Sequence, residues 1–251
     1  MTVVSGKDVA TEMSIWTRKV GYPILTVHEF EAERKILVRQ DRFLKSMDLS
    51  PEENETIYPV SLGLIIGTNV ADQHDVVLNS RQMEVPLKDM KFFKLNSKHA
   101  GFFRTLYTPK RLLKIGEAMN AGLLSVEDRI GVIADASALA SSGYQKTSAL
   151  LGMLANLKEE KDPFVWKQIK SCLASIEEAF KFEHESIKSG LTKFKRELIG
   201  PQARALGWDF QDTDDMSIAK HKAAMFEAAG EAGEMRQGYQ KKSKATIANL
   251  I

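Results

Sequence analysis

The dipeptide His28-Glu29, in the stretch TVHEFEAER (residues 26–34), has the residue types with which a chain could grip a metal. In an H-E-x-x-H helix two histidines one turn apart share a zinc ion and the glutamate acts as general base. Here the position four residues after His28 is Ala32. The surrounding ILTVHEFEAE alternates apolar and polar residues, which predicts a strand. Side chains four apart on a strand lie too far apart to share one ion. His28 and Glu29 are therefore expected to be strand residues.

Other candidates are equally bare of partners. His74, His99, His184 and His221 are scattered, with no histidine or cysteine at ligand spacing. The EHE at 183–185 falls on an expected helix, where neighbours point in different directions. Cys172, the single cysteine, sits in the amphipathic WKQIKSCLASIEEAF and reads as a buried structural thiol. Arg104, between aromatics in GFFRTLY, is expected to make a domain-bridging salt link rather than to anchor a substrate. No G-x-S-x-G elbow, Walker loop or dinucleotide fingerprint occurs. The acidic stretches SPEENE, KEEKD and DTDD read as solvated, and DFQDTDDMSIAK lacks a calcium loop's full ligand ladder. The sequence thus assigns no catalytic, cofactor-binding or metal-ligating residue.

Composition narrows the class further. The 251 residues are 43% hydrophobic and 27% charged, an ordinary globular balance. A net charge of +2 creates no field that demands nucleic acid or an anionic membrane. The KKSK cluster (Lys241, Lys242, Lys244) reads as a solvated helix face. One cysteine excludes an intrachain disulfide, no run of 18 apolar residues exists, and the N-terminus lacks a secretion signal's apolar core. A cytoplasmic protein is expected.

The elements that would position any site change character twice. Residues 1–23 read as a helix with Val9, Met13, Trp16 and Val20 on one face, stopped by Gly21-Tyr22-Pro23. Residues 24–107 read as β: ILTV, KILVRQDRF, YPVSLGLIIG, DVVLNSRQMEV, KFFKLN and GFFRTLY are short runs rich in branched and aromatic residues. Such runs without helical spacers predict a small antiparallel sandwich, interrupted by one helical turn at a Ser50–Glu53 capping box. Residues 108–251 read as helical. Thr108-Pro109 and Asp162-Pro163 open helices, and Ser125 with Asp128 forms a capping box. That second helix has an apolar stripe through Val126, Ile130, Ile133 and Ala140, ended by Gly143. Further helical segments are expected near 184–199, 201–207 and 214–229, with a weaker one to Ile251. The fold class is α+β and multidomain: a β-sandwich, then a helical domain resembling an α-solenoid, without an exact repeat.

The order of these segments resembles M1-family zinc aminopeptidases of the puromycin-sensitive and fungal cytosolic type. SGKDVATEMSIWTRKVGYPILTV is similar to the end of their catalytic domain. ILVRQDRFL, YPVSLGLIIG and FFKLNSKHAGFFRTLYTPKRLLKIGEA are similar to the following sandwich and its exit into helices. The stretch from LLSVEDRIGVIADASALASSG to LKEEKDPFVW, then LTKFKRELIGPQARALGWDF and KAAMFEAAGEAG, is similar to the helical domain. The likeness covers about residues 5–233, and the tail EMRQGYQKKSKATIANLI departs from it.

What the resemblance implies is subtraction. The family's zinc helix, downstream glutamate, catalytic tyrosine and amino-group-binding acids would precede Met1, and no position here matches them. Zinc would belong to the parent family, with no cofactor in this chain. The implied role is that of a non-catalytic C-terminal region that spaces domains and shapes substrate access, the helical bowl being cut roughly in half. The implied partners are the missing catalytic domain, or peptides and proteins at the concave helical face. Exposed apolar ends would also permit a homodimer. A stand-alone helical binding module is the alternative reading.

Overall fold

The computed structural model describes residues 9–67, 73–74, 76–207 and 216–233. The DTDD segment, the KKSK cluster and the weak helix expected up to Ile251 lie outside the described residues. The chain divides into two compact units, Met1–Leu150 and Leu151–Ile251.

The first unit opens with helix α1 (Val9–Arg18). Trp16 is half-buried, its indole Nε1 donating to the Pro59 carbonyl, whereas Met13 and Val20 are exposed. Strands β1 (Pro23–Phe30) and β2 (Lys35–Arg42) form an antiparallel hairpin running from the pair Pro23–Arg42 to Phe30–Lys35. Ile36, Val38 and Gln40 are buried and Leu37 and Arg39 between them are half-buried, so the period of two sets which side chains face the core. Removing aliphatic side chains of this size from water contributes about 1.5–3 kcal/mol each. At the turn after β2, Glu53 N–H donates to Ser50 Oγ and Ser50 N–H to a Glu53 carboxylate oxygen, the reciprocal capping box the sequence predicts.

Short strands follow: β3 (Val60–Ser61), β4 (Leu64–Ile66), β5 (Gln73–His74), β6 (Val77–Leu78), β7 (Gln82–Pro86), β8 (Phe93–Lys94) and β9 (Arg104–Leu106). They form a four-stranded sheet ordered β7-β2-β1-β9, a pair β3-β6 and a three-stranded sheet β5-β4-β8. The expected all-antiparallel pairing needs one correction: β9 runs parallel to β1, with Ile24 opposite Arg104. No tight turn joins these strands, so the hairpin constraint that enforces antiparallel pairing does not act on them.

Helices then take over. Thr108 caps α2 (Pro109–Asn120) by accepting from the Arg111 N–H, and Ser125 caps α3 (Val126–Ser141) by accepting from the Asp128 N–H. Gly143, at φ 81°, follows the end of α3. The buried face of α3 differs from the expected apolar stripe. Val126, Ile130 and Ala140 are only half-buried, and the inward positions are Asp128, Gly131, Val132, Ile133, Asp135, Ala136 and Leu139. Two acids therefore face inward, for a reason given below. Helix α4 (Thr147–Leu154) has no counterpart among the sequence-derived segments.

In the second unit α5 (Pro163–Ala179), α6 (Glu185–Leu206) and α7 (Met216–Glu231) pack on one another. Asp162 caps α5, accepting from the N–H groups of Phe164 and Val165. Trp166 is fully buried and its indole donates to the Glu160 carbonyl at 2.8 Å. The expected break between 199 and 201 is absent: α6 runs through Pro201 as one helix. An interior proline costs about 3 kcal/mol, but Leu198 and Ile199 before it and Gln202 and Ala203 after it continue one buried face. Among the described residues no helix is long and apolar enough to cross a membrane.

Candidate functional site

Among the described residues of the first unit, three ionic ties join strands to helices α2 and α3. The first starts at Glu29 on β1. Its Oε2 accepts from Arg111 Nη2 at 2.5 Å and Nε at 3.2 Å, and its Oε1 accepts from Thr108 Oγ at 3.0 Å. Arg111 is 1% exposed, lies over the Phe93 ring and donates to the carbonyls of Met90 and Lys91. A planar guanidinium with several fixed donors suits such a buried node. His28, beside Glu29, is exposed, and Ala32 lies on the turn between β1 and β2.

The second tie is a wholly buried ammonium. Lys94 on β8 and Asp128 on α3 are both fully buried, with Nζ 2.7 Å from Oδ1. Lys94 Nζ also donates to the carbonyls of Leu95 at 2.8 Å and Asn96 at 2.7 Å. Two carbonyls thus take two of the ammonium's three N–H donors, and the Asp128 carboxylate stands beside it as the counter-charge. Burial lowers the Lys94 pKa, and the Asp128 carboxylate works against that shift. The other Asp128 oxygen accepts from Ser125 Oγ at 2.9 Å.

The third tie joins β9 to α3. Arg104 Nη1 donates to Asp135 Oδ1 at 3.0 Å, and the Thr105 N–H donates to Oδ2 at 3.1 Å. Arg104 Nε donates to the Tyr22 hydroxyl, and the guanidinium lies against the Tyr22 and Phe43 rings. Arg104 thus makes a salt link, and both of its ends lie within the first unit. Burial pushes the Asp135 pKa up to about 7, against the lowering pull of the Thr105 N–H, Arg104 and Lys94. Tyr107 lies nearby, fully buried; burial raises its phenol, whose oxygen accepts from the Leu95 N–H at 2.9 Å.

A strained loop brings His99 to the same place. Asn96, Lys98 and His99 all have positive φ, at 61°, 54° and 52°. The Asn96 amide fixes the loop, its Oδ1 accepting from the Gly101 N–H and its Nδ2 donating to the Gly101 carbonyl. Asparagine tolerates the left-handed region because its side chain can bond locally in this way. The His99 ring rests on Gly131 of α3, where a Cβ would come within 2.1 Å of its Cγ. A hollow of about 330 Å³ opens over these groups, lined by Tyr22, His99, Gly101, Phe102, Arg104 and Asp135.

A carboxyl titrating near neutrality beside an imidazole has the proton affinity of a general base. Asp135 is only 6% exposed, however, and both its oxygens are engaged by β9. The arrangement joins elements of the fold. The other residues singled out from sequence are not gathered here. Cys172 is buried in α5, His184 caps α6 by accepting from the Ser186 N–H, and His221 lies half-buried on α7. Zinc does not fit the residues present: His28 has no ligand partner, and among the described residues no group of three or more His, Cys, Asp and Glu could hold a metal.

Residues 92–249, which include the second and third ties, match the family model described as the ERAP1-like C-terminal domain. The chain belongs to that family. It is 40% identical, over 90% of its length, to Aminopeptidase 2, mitochondrial, of Saccharomyces cerevisiae. It is 38% identical over 98% of its length to the Alanine/arginine aminopeptidase of the same yeast. Aminopeptidase M1-D of Oryza sativa subsp. japonica is 28% identical over 95% of it. The chain spans about a quarter of these relatives, 23%, 29% and 27% of their respective lengths. It corresponds to a C-terminal region of an M1 aminopeptidase, and the ionic ties are features of that region.

Neither Asp128 nor Asp135 was singled out as a functional residue from sequence. The available signal was their spacing: seven residues, two helical turns, which places both on one face of α3. Lys94 gave no comparable signal, because a lysine in a β run reads as solvent-facing.

Proposed function

We propose that this chain serves as a non-catalytic, C-terminal region of a zinc aminopeptidase, spacing its domains and shaping access of peptides to a catalytic domain that supplies the metal. The observation that carries this reading is the match to aminopeptidases over nine-tenths of the chain or more. The ionic ties support it, since Glu29–Arg111, Lys94–Asp128 and Arg104–Asp135 each lock a strand to a helix. A region that positions other domains gains from such stiffness. Its partner is the catalytic part of the enzyme, and the exposed Met13, Val20 and Phe102 supply apolar surface for that contact. The workplace is the cytoplasm.

Equilibrium dialysis of the purified chain against zinc, followed by metal analysis, tests the non-catalytic assignment. Substoichiometric, readily stripped zinc is the expected result. One zinc per chain that resists a chelator would overturn it.

A further inference from the structure

The third tie has a property that a purely mechanical link does not need. Its carboxylate sits under a solvent-connected hollow of about 330 Å³, so protons can reach it, while its own exposure is only 6%. The hollow's floor brings together a guanidinium, a carboxyl and an imidazole from three places in the chain. These are Arg104 on β9, Asp135 on α3 and His99 on the strained loop between β8 and β9.

We propose that this cluster is a proton-operated joint, in which uptake of one proton by the Asp135 carboxyl loosens the Arg104 pair that ties β9 to α3. The charges around Asp135 set which group takes the proton. Arg104 and the Thr105 N–H meet it from β9, Lys94 acts on it from β8, Asp128 lies two turns away on its own helix, and the Tyr107 hydroxyl lies nearby. The His99 tautomer follows from the loop. The Gly101 backbone fixes the Asn96 amide, so Nδ2 is a donor and His99 Nδ1, at 3.4 Å, is its acceptor. The ring proton then sits on Nε2, 3.9 Å from Asp135 Oδ1, too far for a hydrogen bond.

The usual order of protonation is inverted here. Burial lowers the His99 pKa, with Lys94 and Arg104 adding to the shift and Asp128 opposing it, whereas burial raises Asp135 to about 7. A neutral Asp135 keeps its hydrogen-bonding oxygens but loses the charge that holds Arg104. The guanidinium then keeps its contacts to the Tyr22 hydroxyl and to the Tyr22 and Phe43 rings without a carboxylate charge beside it. In this way a small change in pH near neutrality alters the stiffness of the sheet–helix junction.

Carbon-13 NMR of the Asp135 carboxyl in the intact labelled chain, from pH 5 to 9, tests the joint without mutation. The expected midpoint is near 7, with the Thr105 amide proton and the Arg104 Nε–H signal moving at the same midpoint. A carboxyl midpoint below 5 would overturn the proposal. So would a neutral midpoint with unmoved Thr105 and Arg104 signals, which would make the proton a bystander. In His99→Ala the transition should persist near neutrality; its disappearance would assign the proton to the imidazole and contradict the mechanism.

Discussion

Replacing Asp128 by asparagine removes one charge from a pair in which neither side chain has any exposed surface. Lys94 would keep its carbonyl contacts to Leu95 and Asn96 but lose the carboxylate that stands 2.7 Å from Nζ. Stranding one member of a buried pair typically costs about 3–5 kcal/mol. The two remaining carbonyls place Asp128→Asn at the lower end, about 3 kcal/mol. Urea unfolding followed through the first unit, with a slope of about 2 kcal/mol per molar, should show the midpoint fall by about 1.5 M. The deficit should shrink as pH rises. Without Asp128 the folded-state pKa of Lys94, already lowered by burial, falls further below its unfolded value. The folded state then binds fewer protons between those two pKa values, so stability rises with pH across that window. The double variant Lys94→Met/Asp128→Leu removes both charges and should recover most of the loss. A loss below about 1 kcal/mol in Asp128→Asn, or a double variant no better than the single, would refute the reasoning.

Other expectations follow from the same geometry. Glu29→Ala should cost about 3 kcal/mol by stranding Arg111, whereas His28→Ala, one residue earlier and exposed, should stay within about 0.5 kcal/mol in the same denaturation assay. Gly131→Ala should destabilise by about 1–3 kcal/mol, because its Cβ would meet the His99 ring, and adding His99→Ala should relieve part of that in thermal melts. Between about pH 4 and pH 7 the folded chain keeps a proton on Asp135 that the unfolded chain has released. Stability should therefore fall as pH rises through that window, by at most about 4 kcal/mol, and Asp135→Asn should flatten the trend.

Much of the fold was legible because local chemistry fixed it. The alternation in KILVRQDRF placed Ile36 and Val38 inside, and Thr108, Ser125 and Asp162 capped helices as their spacing predicted. What stayed hidden depended on distant partners. Glu29 has its role through Arg111, 82 residues away, and Lys94 through Asp128. Hydropathy patterning reads buried lysine and aspartate as solvated, which is why the stripe drawn on α3 missed the face carrying its two acids. The parallel pairing of β9 and the passage of α6 through Pro201 are likewise settled by tertiary burial rather than by local propensity.

The central claim, that the region supports peptide hydrolysis without performing it, is tested most directly by assaying the purified chain with aminoacyl fluorogenic substrates, with and without added zinc. The account predicts no turnover above buffer in either condition. Turnover that scales with the concentration of this chain, through purification and in the presence of chelator, would contradict it.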